Sequence, residues 1–514
     1  MPVNFNGLKG FNGHLLALLA GLIAPLGFAP FQYWAVSVLS CLLFLYSLAN
    51  TDIKTASFRG WLYGVGFFGA GVSWVYVSIN QFGHAAPWLA GLLTFIFVCA
   101  IAPFFAIQAA LYRLIAGSEA ASHKCYMWMG FPAVWVLSEW FRSWFLTGFP
   151  WNYLGYAPID SWLGSWAPIT GVYGLSFCTA LLASSIYLLL QRPKQKLFIA
   201  ALAGLILPAF LGLLLTQKTW IQPSTAAPLK VALVQGNTPQ NLKWNPDYRQ
   251  HIIDSYIKST LMNLDRDLII WPETAIPRLL VNVRPALVPL EELLNESGIG
   301  LITGVPTHTG SGQQKQYFNS VVGLASAQGI YHKQRLVPFG EYVPLEDMLR
   351  GLITFFDLPM SSFSLGPANQ PPMRLSNGQQ LASFVCYEIV YPDLVANDSR
   401  NADYLLTLSN DSWFGDSLAP HQHLQMARMR AKENGRYLIR ATNNGISAII
   451  DANGNILKQT EQFVAEVLRA EVIAMTGNTP FSRFGSVPVL SFCLLICIAL
   501  FTSNQATRKR HHRT

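Results

Sequence analysis

Leu381-Ala-Ser-Phe-Val-Cys386-Tyr387-Glu388 runs five small or apolar residues into a cysteine, a tyrosine and a carboxylate. Such a run reads as a short buried strand, and the cysteine falls where the strand ends. Of the seven cysteines, Cys41, Cys99, Cys125, Cys178, Cys493 and Cys497 lie in or beside strongly apolar stretches. Cys386 alone belongs to the long stretch with the composition of a water-facing domain. With no partner there, it belongs to no disulfide framework. A free cysteine ordinarily packs as a small hydrophobe, so chemistry at Cys386 requires other groups to converge on it.

Outward from this strand the same pattern repeats. Short apolar runs recur at 231–234, 268–271, 301–303, 320–324 and 404–408, with amphipathic stretches between several of them. Helices are expected over 248–264, 287–294 and 420–434, the last opened by Pro420 in its first turn and closed by Gly435. Tyr437-Leu-Ile-Arg-Ala-Thr and Ile446-Ser-Ala-Ile-Ile flank Asn443-Asn444-Gly445, a hairpin signal, and Asn453-Gly454 marks a second turn. Strands alternating with helices over 228–480 predict an α/β domain large enough for a full core.

Two other strand ends carry reactive groups. Asp267-Leu-Ile-Ile-Trp-Pro-Glu273 sets a carboxylate just past an apolar run that a proline stops. Tyr331-His-Lys333-Gln-Arg-Leu-Val-Pro-Phe-Gly-Glu341 sets a lysine and a second carboxylate around a Pro/Gly turn. Open α/β sheets collect reactive groups at strand C-termini, so Glu273, Lys333 and Cys386 occupy comparable places on three segments. A cysteine nucleophile needs a base or a cation. Glu273 suits the base if burial raises its pKa. Lys333, with a backbone N–H next to Cys386, suits a developing oxyanion.

The rest of the chain is membrane-like. With 52% hydrophobic and 12% charged residues and a mean hydropathy of +0.31, it is too apolar for a soluble protein of its length. Eight spans are expected, at 12–28, 31–50, 58–80, 86–113, 126–142, 166–190, 197–216 and 486–503. Placing the N-terminus in the cytoplasm puts Lys9, Lys54, Arg59, Arg113, Lys124, Arg192, Lys194, Lys196 and the tail Arg508-Lys-Arg-His-His-Arg513 inside, and leaves short outer loops such as 80–86 nearly bare of Lys and Arg. The expected plan is therefore a seven-helix membrane domain over 1–227, an extracytoplasmic domain over 228–480, and a last span with a basic cytoplasmic tail over 481–514. Residues 228–485 hold 21 Lys/Arg against 23 Asp/Glu, so the net charge of +8 resides in the cytoplasmic loops and tail. It reports orientation and contact with membrane lipids, and needs no nucleic-acid partner. Glu139 and Arg142, three apart in the fifth span, suit either a structural pair or a lipid-headgroup contact.

Trp-Pro-Glu273, Tyr-His-Lys333 and Val-Cys386-Tyr-Glu resemble the Glu–Lys–Cys core of the nitrilase superfamily. The blocks Leu336-Val-Pro-Phe-Gly-Glu-Tyr-Val-Pro344, Asn410-Asp-Ser-Trp-Phe-Gly415 and Arg440-Ala-Thr-Asn-Asn-Gly-Ile-Ser447 are similar to its membrane branch, the apolipoprotein N-acyltransferases. The resemblance implies an αββα sandwich, with Glu273 as general base, Lys333 as oxyanion stabiliser and Cys386 as nucleophile. It implies supporting roles for Glu341, Tyr387 and Glu388, and makes Trp244 part of a substrate-contacting arm, where the residue alone would read as a surface tryptophan. It further implies a bacterial inner-membrane enzyme with its catalytic domain in the periplasm. A phospholipid would be the acyl donor and a diacylglyceryl-apolipoprotein the acceptor, with no cofactor. No metal is expected either, since His421 and His423 diverge on a helix. The apolar run 348–360 suits a lipid-facing segment or a buried connecting helix. A membrane-anchored amidase and a non-catalytic nitrilase-like scaffold are the alternatives.

Overall fold

The computed structural model describes residues 8–116, 124–338, 340–342 and 363–511; the apolar run 348–360 and the end of the Leu336 block lie outside these. The chain divides into two compact units. One comprises the stretches up to Tyr76, Pro87–Lys218 and from Phe484 onward, and the other Val77–Ala86 with Thr219–Arg483.

The first unit is helical, as a lipid environment demands: with no water to satisfy them, backbone polar groups must pair within the helix. Among the described residues four stretches are long and apolar enough to cross a membrane: Gly10–Gly27, Pro87–Ala116, Trp162–Leu190 and Gln195–Leu215. Ile53–Gly71 and Val75–Phe82 make a fifth if their 61° bend is taken within one span. Trp34–Ser47 and Val487–Ser503 are shorter apolar helices. Glu139 accepts hydrogen bonds from Trp135 Nε1 (2.9 Å), the Leu154 N–H (2.7 Å) and Ser176 Oγ (2.6 Å). Arg142 donates to the Trp151 carbonyl (2.8 Å) and lies over the rings of Phe68 and Tyr153.

The second unit contains strands β1 (Gln222–Pro223), β2 (Leu229–Gln235), β3 (Leu268–Ile270), β4 (Gly300–Thr309), β5 (Gln316–Ala325), β6 (Ala327–Gln328), β7 (Ile330–His332), β8 (Met373–Leu375), β9 (Gln380–Val385), β10 (Tyr404–Ser409), β11 (Tyr437–Thr442), β12 (Ala448–Ile450), β13 (Ile456–Gln459), β14 (Glu466–Val472) and β15 (Met475–Thr476). One sheet has the order β14-β2-β3-β4-β5-β7 and the other β13-β12-β11-β10-β9-β8-β6. Each has three parallel strands at its heart, β2 to β4 and β9 to β11. Leu229, Val231, Leu233 and Ile270 of one sheet meet Val385, Leu406, Leu408 and Ile439 of the other. The alternate residues Ala232, Val234, Ile269 and Leu301 face the helices Arg249–Leu261 and Leu280–Glu296. Burial on both faces is why these strands read as continuous apolar runs rather than as alternation. With helices Pro392–Asp398 and Ala419–Asn434 packed on the second sheet, the unit is an αββα sandwich.

Local rules explain most boundaries. Gly435 takes φ +62° and its N–H caps the Ala431 carbonyl, ending Ala419–Asn434. Leu280–Glu296 runs well beyond the expected 287–294 because Pro285 and Pro289 are tolerated on its exposed face. Water can satisfy the carbonyls they free, while Val283, Leu287, Leu290 and Leu294 stay buried. The hairpin of β11 and β12 forms, but its connection spans 443–447. Gly445 is needed there for a reason other than turn geometry: a Cβ would lie 2.3 Å from Asp411 Oδ2.

Candidate active site

The three expected residues meet between the two sheets. Glu273 follows β3, Lys333 follows β7 directly, and Cys386 follows β9 directly. Cys386 adopts φ +51°, a left-handed conformation that costs a non-glycine residue about 1–2 kcal/mol. It opens a short 3₁₀ turn, Cys386–Val390, at the strand end, and the residue is half-buried.

Lys333 is the hub. Its Nζ lies 2.7 Å from Glu341 Oε2 and 3.8 Å from Glu273 Oε1, and its side chain is 1% exposed. Burial opposes its charge, yet Glu341 and Glu273 outweigh burial and hold the ammonium well above the usual lysine range. Asn319 Nδ2 bridges the two carboxylates, donating to Glu273 Oε1 and Glu341 Oε1 at 2.8 Å each. The Asn410 N–H donates to Glu273 Oε2 (2.7 Å) and the Val337 N–H to Glu341 Oε2 (2.9 Å). Burial raises the Glu273 pKa; Lys333 pulls it down and Glu341 pushes it up, and the net direction is upward. Burial likewise raises the Cys386 pKa, reinforced by Glu273 and opposed by Lys333. The resting group is thus a thiol, and a nucleophilic role would require a base to take its proton.

Glu388 staples the lysine loop to the cysteine turn. It is fully buried and accepts from the N–H groups of Val385 (2.7 Å), Gln334 (2.5 Å) and Arg335 (3.1 Å), and from the Tyr331 hydroxyl. Burial pushes its pKa up to about 7. Tyr387 is nearly buried and sets its ring edge-on to Tyr391, 5.5 Å between centroids.

Trp244 is half-buried and ends the single-turn helix Gln240–Lys243. Its neighbours tie this arm to the site. Lys243 Nζ donates to the Glu273 carbonyl (3.2 Å), and Asn410 Nδ2 donates to Gln240 Oε1 (2.9 Å). Asn443 binds the same arm, donating to the Thr238 carbonyl (2.8 Å) while its Oδ1 accepts from the Thr238 N–H. The Asn410 and Arg440 blocks are therefore a polar brace for the site.

Sequence reasoning singled out neither Asn319, Lys243 nor Asn410 as a site residue. The available signal for Asn319 was one amide inside an apolar run, and its direction depends on the pairing of β5 with β7.

Residues 20–185 match the family described as Apolipoprotein N-acyltransferase N-terminal domain, and residues 230–481 the Carbon-nitrogen hydrolase family. A relative from Pseudomonas aeruginosa named Apolipoprotein N-acyltransferase is 46% identical over 93% of this chain and 94% of its own. One of the same name from Pseudomonas syringae is 44% identical over 95% and 96%, and one from Coxiella burnetii 39% identical over 95% and 99%. Among solved structures, an amidase from Nesterenkonia sp. is 18% identical with a TM-score of 0.34, over 52% of this chain and 97% of that one.

Proposed function

The chain belongs to the apolipoprotein N-acyltransferases, and from that premise we propose that Cys386 carries the acyl group between a membrane phospholipid and a lipoprotein amine. The protein is an acyltransferase of lipoprotein biosynthesis, an N-acylating enzyme of the membrane. The observation that supports the assignment of roles is the lysine hub: one buried ammonium within reach of two carboxylates, acting on the thiol at a strained strand end.

Glu273 accepts the thiol proton as Sγ attacks an ester carbonyl of the phospholipid. The oxyanion forms against Lys333 Nζ and the backbone N–H next to Cys386. Collapse breaks the ester C–O bond, Glu273 returns the proton to the departing oxygen, and a lysophospholipid leaves. The α-amino group of a diacylglyceryl-cysteine then attacks the thioester, giving its proton to Glu273. The C–S bond breaks, and the thiolate recovers that proton. Glu341 and Asn319 fix the lysine and the base, Glu388 fixes the turn, and Trp244 lies on the arm that meets substrate. No step calls for a cofactor or metal.

Such a route predicts ping-pong kinetics. With phospholipid alone, intact-protein mass spectrometry should find one acyl group on Cys386, discharged when a diacylglyceryl peptide is added. Free fatty acid released at the full turnover rate without acceptor would replace this reading with a membrane amidase or esterase.

The finer topology is part of the same proposal: eight spans, both termini cytoplasmic, and the catalytic unit over 228–480 on the periplasmic side of a bacterial inner membrane. The lysine/arginine pattern supports it. So does Val77–Ala86, a stretch that includes the expected outer loop 80–86 and that packs within the catalytic unit. Ser78 Oγ donates to the Trp413 carbonyl (2.7 Å), and Phe82 meets the Trp413 ring at 5.7 Å. A reporter fused after residue 514 should be active only in the cytoplasm, and one inserted within 228–480 only outside. The reverse labelling would sink the topology.

A further inference from the structure

The mechanism above gives no chemical task to the buried cluster of His423, Asp411 and Arg440. Each of the three is at most 2% exposed. Asp411 Oδ2 accepts from Arg440 Nη2 (2.7 Å), and Asp411 Oδ1 accepts from Ser409 Oγ (2.6 Å). His423 Nδ1 lies 3.1 Å from Arg440 Nη2 and 3.3 Å from Asp411 Oδ1. At the other side of the ring, His423 Nε2 lies 3.1 Å from the Cys386 carbonyl oxygen.

A carbonyl oxygen only accepts, so Nε2 carries a proton and donates it. Burial and the adjacent Arg440 disfavour a second proton on this ring, Asp411 favours one, and the net shift is downward. The ring is then neutral, with Nδ1 accepting from Arg440. Two blocks of sequence, Asn410–Gly415 and Arg440–Ser447, thus converge through one imidazole on the backbone of the cysteine turn.

The held carbonyl belongs to the Cys386–Tyr387 peptide, which is planar. Fixing its C=O fixes the direction of the Tyr387 N–H at the opposite edge of the same plane, and helps hold Cys386 at φ +51°. We propose that His423 is a positioning residue for acyl transfer: its Nε2–H, oriented by Arg440 and Asp411, pins the Cys386–Tyr387 peptide so that the thiol and the adjoining N–H face the reacting carbonyl together. The inference rests on Cys386 being the nucleophile.

The test is the rate of Cys386 acylation by phospholipid vesicles in the full-length protein, followed by intact mass, with the melting temperature recorded for each variant. Displacement of a reacting group by about 1 Å costs on the order of 100-fold. His423→Leu should therefore slow acylation by on the order of 100-fold, with little change in the phospholipid concentration that gives half the maximal rate. His423→Gln places an amide N–H near the position of Nε2 and should recover most of the rate. His423→Asn reaches only the position of Nδ1 and should not, so the Gln/Asn pair decides the matter even if the leucine variant fails to fold. Folded Leu or Asn variants acylated at the wild-type rate, or a Gln variant as slow as Asn, would overturn the role of His423 alone. A wild-type protein that takes no acyl group at all would overturn the nucleophile assignment, and this inference with it.

Discussion

Cys386→Ala is expected to lower turnover by on the order of 10⁴-fold or more while the protein still inserts and folds. Cys386 packs at the margin of the core between the sheets and remains half-buried. Loss of one sulfur there costs only about 1–3 kcal/mol. Alanine and cysteine pay the same backbone penalty at φ +51°, so the turn has no added reason to relax. Cys386→Ser should be nearly as inactive. The base was already needed to ionise a thiol whose pKa burial raises, and a hydroxyl is a far weaker acid. Mass spectrometry on either variant should show no acyl adduct after incubation with phospholipid. Turnover by purified, folded Cys386→Ala would mean that another group carries the acyl chain.

The reactive strand ends were legible because they obey local rules: an apolar run, a stop, and a charged or nucleophilic residue at the stop. β3 and β9 end at the C-terminal edges of parallel runs, and β7, antiparallel to β5, which is itself antiparallel to β4, runs the same way as β3. Strand β14, by contrast, alternates buried and exposed residues and pairs with β2 along seven registers. Its partner lies more than 200 residues earlier, and no local signal specifies such a pairing. Asn443-Asn444-Gly445 shows a different limit. The motif marked a chain reversal correctly, but its residues are selected by contacts to Thr238, Ser412 and Asp411, which exist only once two sheet ends meet. In the helical unit, length and apolarity suggested spans at 31–50 and 58–80. Helix Trp34–Ser47 is shorter than that, and the other stretch bends by 61°.

Lys333→Met should have two separable effects. The lysine is the cation shared by Glu341 and Glu273. Removing it leaves two buried carboxylates joined only through Asn319, a change that costs about 3–5 kcal/mol when a buried ion pair is broken. With Lys333 in the proposed oxyanion role, the substitution also removes a charge worth on the order of 10²–10³ in rate. The sign of the pH effect follows from the forces on Glu273. Burial and Glu341 raise its pKa and Lys333 lowers it, so without the lysine the pKa climbs further. The acid limb of the pH–rate profile should move to higher pH, and at neutral pH less of the base is available. A second substitution separates the two effects. In Lys333→Met/Glu341→Gln the neighbouring negative charge is gone, so the melting temperature should recover and the acid limb should move back down. The rate at its pH optimum should nevertheless stay on the order of 10²–10³ below wild type, because nothing has replaced the ammonium at the oxyanion. Full recovery of that rate in the double variant would mean that Lys333 only neutralises its two carboxylates, and the oxyanion would then have to be held by backbone N–H groups alone.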